Sequence, residues 1–457
     1  MISVKRTKII ATIGPSSEQE KTLEKLISLG VNGARLNFSH GSHQAHGHVI
    51  KLIRAIERKL NKSVSIIVDV QGPKIRVGNL PETGVELKVG QEVTIDTGTR
   101  EFYKNRIPLP SLMFRDGTQA GHLVFLDDGT IQIKIISKYG GIFKAIVLRG
   151  GLLFSKKGVN VPNLENNSSI LNAKDKADIE FAVKSKVDYV ALSFIRTAKD
   201  VKGARKFLGK SKIKIIAKIE RPEALTNIKE IIDEADAIMI ARGDLGIETP
   251  LWELPVKQKE IIELVRERMK PVIVATQMLD SMIRNSIPTR AEVSDVANAV
   301  FDSTDAVMLS GETALGKYPI EAVDMMRKIL EATDNRQDVA CEYTSHQLLG
   351  QPLDVTSRSV VNIAAASKAK AIIVDSADEP LIRAISHFRQ KTPIIAASKD
   401  FHKASSLAIV WGVTPLAVNN KKLIEGAKTI LKDAGFLKKG DNVVCVNKEN
   451  KITTDTI

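Results

Sequence analysis

In the stretch "IIAKIERPEAL" an amine and a carboxylate, Lys218 and Glu220, stand two residues apart at the end of an apolar run. Alternate side chains of a strand point the same way, so the two charges share a side and Ile219 faces the other. Taken alone, the pair is as compatible with mutual neutralisation as with chemistry. "IARGDLGIE" adds Arg242, Gly243 and Asp244 at the end of the next apolar run. Gly243 and Gly246 permit tight turns and close backbone approach. N–H groups exposed at the start of a helix there can receive a substrate carboxylate. The plainer reading makes Asp244 the N-cap of an ordinary strand-to-helix turn. Two carboxylates from neighbouring strands, Glu220 and Asp244, suit Mg²⁺ or Mn²⁺, which take oxygen ligands alongside substrate oxygens. A third stretch, "VDVQGPKIRVG", ends an apolar run on Asp69 and places Lys74 and Arg76 on alternate residues after a Gly-Pro turn. One acid and two bases at a buried strand end fit a surface turn by chance or a site for an anionic substrate by design.

Other motifs carry less. "GARKFLGKS" resembles a phosphate-binding loop, but its glycine spacing is wrong and it precedes a strand. His40, His43, His46 and His48 fall at a helix start, where exposed histidines are expected rather than a transition-metal site. No G-x-S-x-G elbow is present. The chain has 457 residues with 67 basic and 53 acidic side chains, a net charge of +14. The cations are scattered among acids, as in "IIELVRERMK", and aromatic residues are only 4 % of the chain, which argues against a nucleic-acid partner. Apolar runs fall far short of the ~18 residues a membrane helix needs, so no membrane partner is expected. The N-terminus lacks a signal sequence, and Cys341 and Cys445 are the only cysteines, so a cytoplasmic address is expected.

These residues need strands to carry them. Short, β-branched, nearly continuous apolar runs occur at 7–13, 31–38, 63–70, 187–194, 213–219, 236–241, 271–276 and 305–309. Such runs suit strands buried on both faces. Amphipathic stretches lie between most of them. In the first, Ser17 and Glu20 read as a capping box, Leu23, Leu26 and Ile27 as the apolar face and Gly30 as the stop. Eight such units predict an α/β fold built on a (β/α)₈ barrel, with an open doubly wound sheet as the alternative. The barrel is favoured because Arg35, Asn37, Asp69, Ser193, Lys218, Glu220, Arg242, Asp244, Thr276 and Glu312 all fall at or just past C-terminal strand ends. Between Val70 and Val187 no helical period is evident. Alternating runs broken by Gly and Asp-Gly predict an inserted all-β lid. After about residue 340 a second α/β rhythm begins, with strands expected in "AKAIIVD", "TPIIAAS", "GVTPLAV" and "DNVVCVN" and a linker in "DNRQDVACEYTSHQLLGQP". The expected division is 1–72 and 162–340 for the barrel, 73–161 for the lid and 341–457 for a C-terminal α/β domain.

Taken in order, "NGARLNFSHGSH", "DVQGPKIRVG", "SKKGVNVP", "IIAKIERPEAL", "IMIARGDLGIE", "VIVATQMLDSM" and "DAVMLSGETALGKYP" closely resemble the pyruvate kinase family. The resemblance is strong from residue 7 to about 330 and looser beyond. It implies phosphoryl transfer from phosphoenolpyruvate to ADP, giving pyruvate and ATP, the final step of glycolysis. It further implies Mg²⁺ or Mn²⁺ on Glu220 and Asp244, and Lys218 and Arg35 at the transferring phosphoryl group. The substrate carboxylate would lie at Gly243 and Asp244, Thr276 where the enolate is protonated, and Arg76 and Lys157 at the nucleotide phosphates. A homotetramer is implied as well.

Two departures from the family pattern stand out. Family members hold K⁺ through oxygens at the positions of Asn37, Ser39, Asp69 and the next residue, usually Thr, with a Glu shortly after. Here Val70 and Lys74 occupy the last two positions, so the expectation is that the Lys74 ammonium replaces K⁺. In the C-terminal domain, "DSADEPLIRAI" stands where members activated by fructose 1,6-bisphosphate carry a Ser/Thr/Gly-rich phosphate loop. Asp378 and Glu379 would repel a phosphate, so no such activation is expected. The alternatives weighed are another metal-assisted barrel acting on enolates, which leaves the lid, Arg76 and Lys157 unexplained, and a basic RNA-binding scaffold.

Overall fold

The computed structural model describes residues 5–162, 164, 170–334, 352–375, 378–399 and 404–457. Eight parallel strands close into a barrel: Lys8–Ile13, Val31–Asn37, Ser65–Asp69, Tyr189–Leu192, Lys214–Ile219, Ala237–Ala241, Val272–Ala275 and Ala306–Leu309. Their registers run in parallel steps, with Asn37 opposite Asp69 and Lys218 opposite Met239. Both faces of these strands are buried. Outward residues such as Ile66, Val68, Ile215 and Ile240 pack under the surrounding helices. Inward residues, including Ile10, Ile67, Tyr189, Ile216, Met239 and Met308, fill the interior, as barrels of this size require.

The first helix, Glu20–Leu29, corrects the expected cap. Its N-cap is Gln19, without a side-chain hydrogen bond. Ser17 instead closes a turn on Gly14, its N–H donating to Gly14 O at 2.8 Å while its Oγ accepts from Gly14 N–H. The stop at Gly30 is as expected: φ is 112°, and its N–H donates back to Ile27 and Leu26.

Between the third and fourth barrel strands the chain leaves the barrel through Ile75–Arg76 and returns through Gly158–Asn160. These two segments pair antiparallel, Arg76 opposite Gly158, so a two-stranded ribbon joins lid and barrel. The lid itself is a seven-stranded sheet with a separate two-stranded one, over a core that includes Ile95, Phe114, Leu126, Ile133 and Phe143. Two helices correct the expectation of a span without any. Leu112–Gly117 lies in the lid, and Ala173–Lys184 precedes the fourth barrel strand. The second escapes a periodicity search because its buried face carries Asp175 and Asp178 beside Ile179 and Ala182.

The C-terminal domain holds a five-stranded sheet: Val413–Ala417, Ile394–Ser398, Ala371–Asp375, Asn442–Val446 and Ile452–Thr456. Four of these were expected. The fifth, antiparallel and polar, was not. The expected linker at 335–351, with Cys341, lies outside the described residues. This domain plugs the barrel floor. Ile409 joins the barrel's interior cluster, and Ser65 and Tyr189 donate to the carbonyls of Ser405 and Ser406 at 2.5 and 2.9 Å. Among the described residues no helix is long and apolar enough to cross a membrane.

Candidate active site

The charged strand ends converge at the barrel mouth, beneath the lid ribbon. Asp69 is the hub of one half. Arg35 Nε donates to its Oδ2 at 2.7 Å and Lys218 Nζ to its Oδ1 at 3.2 Å. Lys218 also meets Glu220 Oε1 at 2.9 Å and Ser193 Oγ at 2.7 Å. Glu220 Oε2 accepts the Phe194 N–H at 2.7 Å, and Phe194 takes a positive φ of 60° to present it. Thr12 Oγ1 steadies Arg35 at 3.0 Å. Burial pushes the Asp69 carboxyl up, but Lys218 and Arg35 outweigh it and hold the group below the usual carboxylate range. Burial likewise works against the Lys218 ammonium, yet Asp69 and Glu220 keep it above the ordinary lysine value. Glu220 is raised, first by burial and further by Asp244, with Lys218 opposing. Glu220 and Asp244, past the ends of neighbouring strands and near enough for Asp244 to raise Glu220, are a fitting donor set for a hard divalent cation, which relieves that repulsion.

The other half is the helix Arg242–Glu248. Arg242 anchors its start by donating to Thr276 O at 2.7 Å and to Asp295 Oδ1 at 2.8 Å. The Gly243 N–H donates to Thr276 Oγ1 at 2.8 Å, and that hydroxyl donates to Ala275 O at 2.5 Å. Thr276 and Gln277 both have positive φ, 71° and 54°. Such backbone strain at a strand end is characteristic of functional sites. Asp244 has no cap role: the N-cap is Ala241, and no side-chain cap bond forms.

The ribbon supplies the remaining cations. Arg76 Nη1 donates to Lys156 O at 3.0 Å and Lys157 Nζ meets Asp127 Oδ1 at 2.8 Å. Lys74 Nζ lies 3.2 Å from Asp244 Oδ1. Its observed bond therefore crosses the mouth to Asp244, while the cations on Asp69 are Arg35 and Lys218. Asn37 Oδ1 accepts the Ser39 N–H at 3.1 Å, and Val70 is buried, with its carbonyl accepting from Ser193 Oγ at 2.9 Å. Glu312, also at a strand end, is turned inward and accepts from Leu279 N–H and Ser310 N–H at 3.0 and 2.7 Å, so it ties loops together.

The histidines serve the loop after the second strand. His43 meets Asp178 at 2.7 Å and stacks on Phe181, while His46 reaches the His40 carbonyl and stacks on Phe38. One pair escaped sequence reasoning. Asn160, on the ribbon strand leaving the lid, donates to Glu248 Oε1 at 3.2 Å. Burial, opposed by Arg221 and Asn160, pushes the Glu248 carboxyl up to about 7. The available signal was its helical spacing from Asp244, four residues on.

A closed barrel with a ribbon-joined β lid over paired carboxylates, a buried lysine and flanking arginines defines a barrel enzyme for acidic substrates. Comparison with known proteins narrows the class. The family described as "Pyruvate kinase, barrel domain" matches residues 4–323, and "Pyruvate kinase, alpha/beta domain" matches residues 354–457. A pyruvate kinase of Geobacillus stearothermophilus is 41 % identical over 456 residues, covering 96 % of this chain and 77 % of the relative. One from Staphylococcus epidermidis is 40 % identical with the same coverages. The crystal structure of a pyruvate kinase from Cryptosporidium parvum superposes with a TM-score of 0.92 at 34 % identity, covering 99 % of this chain and 96 % of that one. The chain belongs to the pyruvate kinase family.

Proposed function

We propose that this enzyme transfers the phosphoryl group of phosphoenolpyruvate to ADP, yielding ATP and, after protonation of the enolate, pyruvate. The observation that carries the reading is the convergence of Lys218, Glu220, Asp69 and Arg35 on one side of the mouth with Gly243, Asp244 and Thr276 on the other. Glu220 and Asp244 would hold Mg²⁺ or Mn²⁺, which when bound neutralises carboxylate and phosphate oxygens of the donor. Arg35 and Lys218 face the phosphoryl group, and Lys218 stabilises charge on it and on the developing enolate. The backbone around Gly243 and Asp244 would receive the substrate carboxylate. Thr276 Oγ, already a donor and an acceptor, orients a proton toward the enolate carbon, through water. Arg76 and Lys157 take the nucleotide phosphates from the ribbon, and closure of the lid excludes water as a competing acceptor.

The same reading extends to regulation. Lys74 brings an ammonium into the mouth, 3.2 Å from Asp244, and Val70 offers no hydroxyl ligand for K⁺, which supports K⁺-independent activity. Asp378 caps the helix Glu379–His387, accepting from Leu381 N–H at 3.0 Å. Glu379 is engaged by Lys214 across the domain boundary and by Arg383. Neither acid is free to make room for a phosphate, which supports the absence of fructose 1,6-bisphosphate activation. Residues 376 and 377 of that stretch lie outside the described residues. A cytoplasmic homotetramer completes the reading, with Leu251, Trp252 and Val256 exposed beyond the helix Arg242–Glu248; gel filtration tests it. The deciding experiment is a coupled assay with phosphoenolpyruvate and ADP in K⁺-free buffer. ADP-dependent pyruvate formation is expected, and pyruvate release that ignores ADP would overturn the reading.

A further inference from the structure

The helix Arg242–Glu248 carries Gly243 and Asp244 in its first turn and meets the lid along its length. Lys74, on the way into the lid, reaches Asp244 at 3.2 Å. Gly129, in a lid turn, lies so close that a β-carbon there would meet Ile247 at 3.5 Å. Asn160, on the way out of the lid, donates to Glu248 at 3.2 Å. The last contact differs from the others in burial. Asn160 is 5 % exposed and the Glu248 side chain 3 %. Among the described residues, Asn160 Oδ1 and the other Glu248 oxygen, Oε2, have no hydrogen-bond partner, and Arg221 Nε stands 3.7 Å from the latter. A buried polar pair satisfied this incompletely is a poor source of stability, since an apolar pair of similar shape would do as well. What it supplies is direction: the bond fixes one strand of the lid ribbon against one turn of one helix.

We propose that Asn160 and Glu248 are positioning residues that hold the substrate helix in register with the lid ribbon, so that the two move together. The inference rests on the placing of the donor carboxylate at Gly243 and Asp244 and of the nucleotide phosphates at Arg76 and Lys157. Under that placing, the donor sits on the helix and the acceptor on the ribbon, and the Asn160–Glu248 bond sets the gap between them. Breaking it leaves each half-site intact but misaligns the in-line approach, which lowers kcat more than it raises KM.

The test is steady-state kinetics on Asn160→Ala, Glu248→Ala, the double variant and Glu248→Gln. Each alanine variant should lose about tenfold in kcat, with KM for phosphoenolpyruvate and ADP changed less than about threefold. The double variant should be no worse than either single one. Glu248→Gln brings an N–H toward Asn160 Oδ1 and should retain kcat within about threefold. Wild-type kcat in both alanine variants, additive losses in the double, or an equal loss in Glu248→Gln would each overturn the proposal. Should Glu248→Ala fail to fold, hydrogen exchange of the wild-type enzyme decides. Amides of 243–249 should slow on adding ADP with Mg²⁺, and unchanged exchange overturns the coupling. Asp244→Asn separates the two levels. If it stays active, the site reading fails. If it is inactive while Asn160→Ala matches wild type, only the coupling fails.

Discussion

The two ends of the barrel carry the same kinds of charge and use them oppositely. At the floor, Asp305 takes both terminal nitrogens of Arg389 at 3.1 Å and the N–H groups of Trp411 and Val272 at 3.0 and 3.1 Å. Asp188 is held by Arg54, the Ile66 N–H and Ser405. Every one of these bonds either stays in the barrel wall or ends on the C-terminal domain. At the mouth, Asp69, Lys218 and Glu220 are as deeply buried, yet they stand at C-terminal strand ends, with Asp244 acting on Glu220. Depth of burial and the presence of ion pairs therefore do not separate structure from chemistry here. What separates them is where the charges stand: the floor acids tie barrel strands to the C-terminal domain, and the mouth acids lie beside like charge at the strand ends where barrels place their chemistry.

The largest expected effect breaks the mouth. Under the proposed roles, Lys218→Met should lower kcat by about 10³-fold, because the developing enolate loses the Lys218 ammonium. Glu220 also loses a buried cation, so stability should fall too, and kcat is read on the folded variant, in which Arg35 stays on Asp69 and the Phe194 N–H on Glu220. Arg389→Met should invert the pattern. Leaving Asp305 buried without its guanidinium costs about 3 kcal/mol of stability, read by denaturant unfolding, with kcat at 25 °C unchanged. A loss of kcat in a folded Arg389→Met enzyme would show that the floor is not merely structural.

The floor should also be the acid-sensitive end. Burial, with Arg266 and Arg389 adding to it and Asp305 opposing, depresses His387 to about 4 from the usual histidine value. Its folded-state pKa lies below its unfolded one, so the unfolded chain binds the extra proton. The stability His387 contributes is complete above pH ~6.5 and drains away as pH falls through about 4, a total of roughly 2–3 kcal/mol. Unfolding free energy followed from pH 7 to 4 should drop less in His387→Gln than in wild type, and equal slopes would assign the acid sensitivity elsewhere.

How much of this was legible in the sequence follows the same division. The barrel strands were readable because burial on both faces leaves continuous runs such as "IIAKI" and "AIMIA". Strand ends could be read for chemistry because period-2 alternation puts Lys218 and Glu220 on one side. The helix Ala173–Lys184 was hidden because acids, which tie to Asn172, Gly72 and His43, occupy its buried face. The Ser17 cap was lost to a competing local turn. Distances across the mouth were out of reach altogether. Spacing says which way Lys74 points but not that it meets Asp244, 170 residues away, and nothing local joins Asn160 to Glu248.

Lys74 is where the comparison can be sharpened with the smallest effect. It is partly exposed, and its bond to Asp244 is 3.2 Å long. A single partly exposed ion pair of that length contributes little to stability. Under the proposed function Lys74 would do as a cation in the mouth what a bound K⁺ does, holding positive charge near the donor's anionic groups. Lys74→Glu reverses that charge. It also frees Asp244 and adds a carboxylate able to attract a monovalent ion. The variant should fold like wild type, lose about tenfold in kcat/KM without K⁺, and regain most of it in 100 mM K⁺ but not in 100 mM tetramethylammonium. Wild type should respond equally to both salts. A wild-type enzyme strongly activated by K⁺, or a variant indifferent to it, would leave Lys74 as a partner of Asp244 alone.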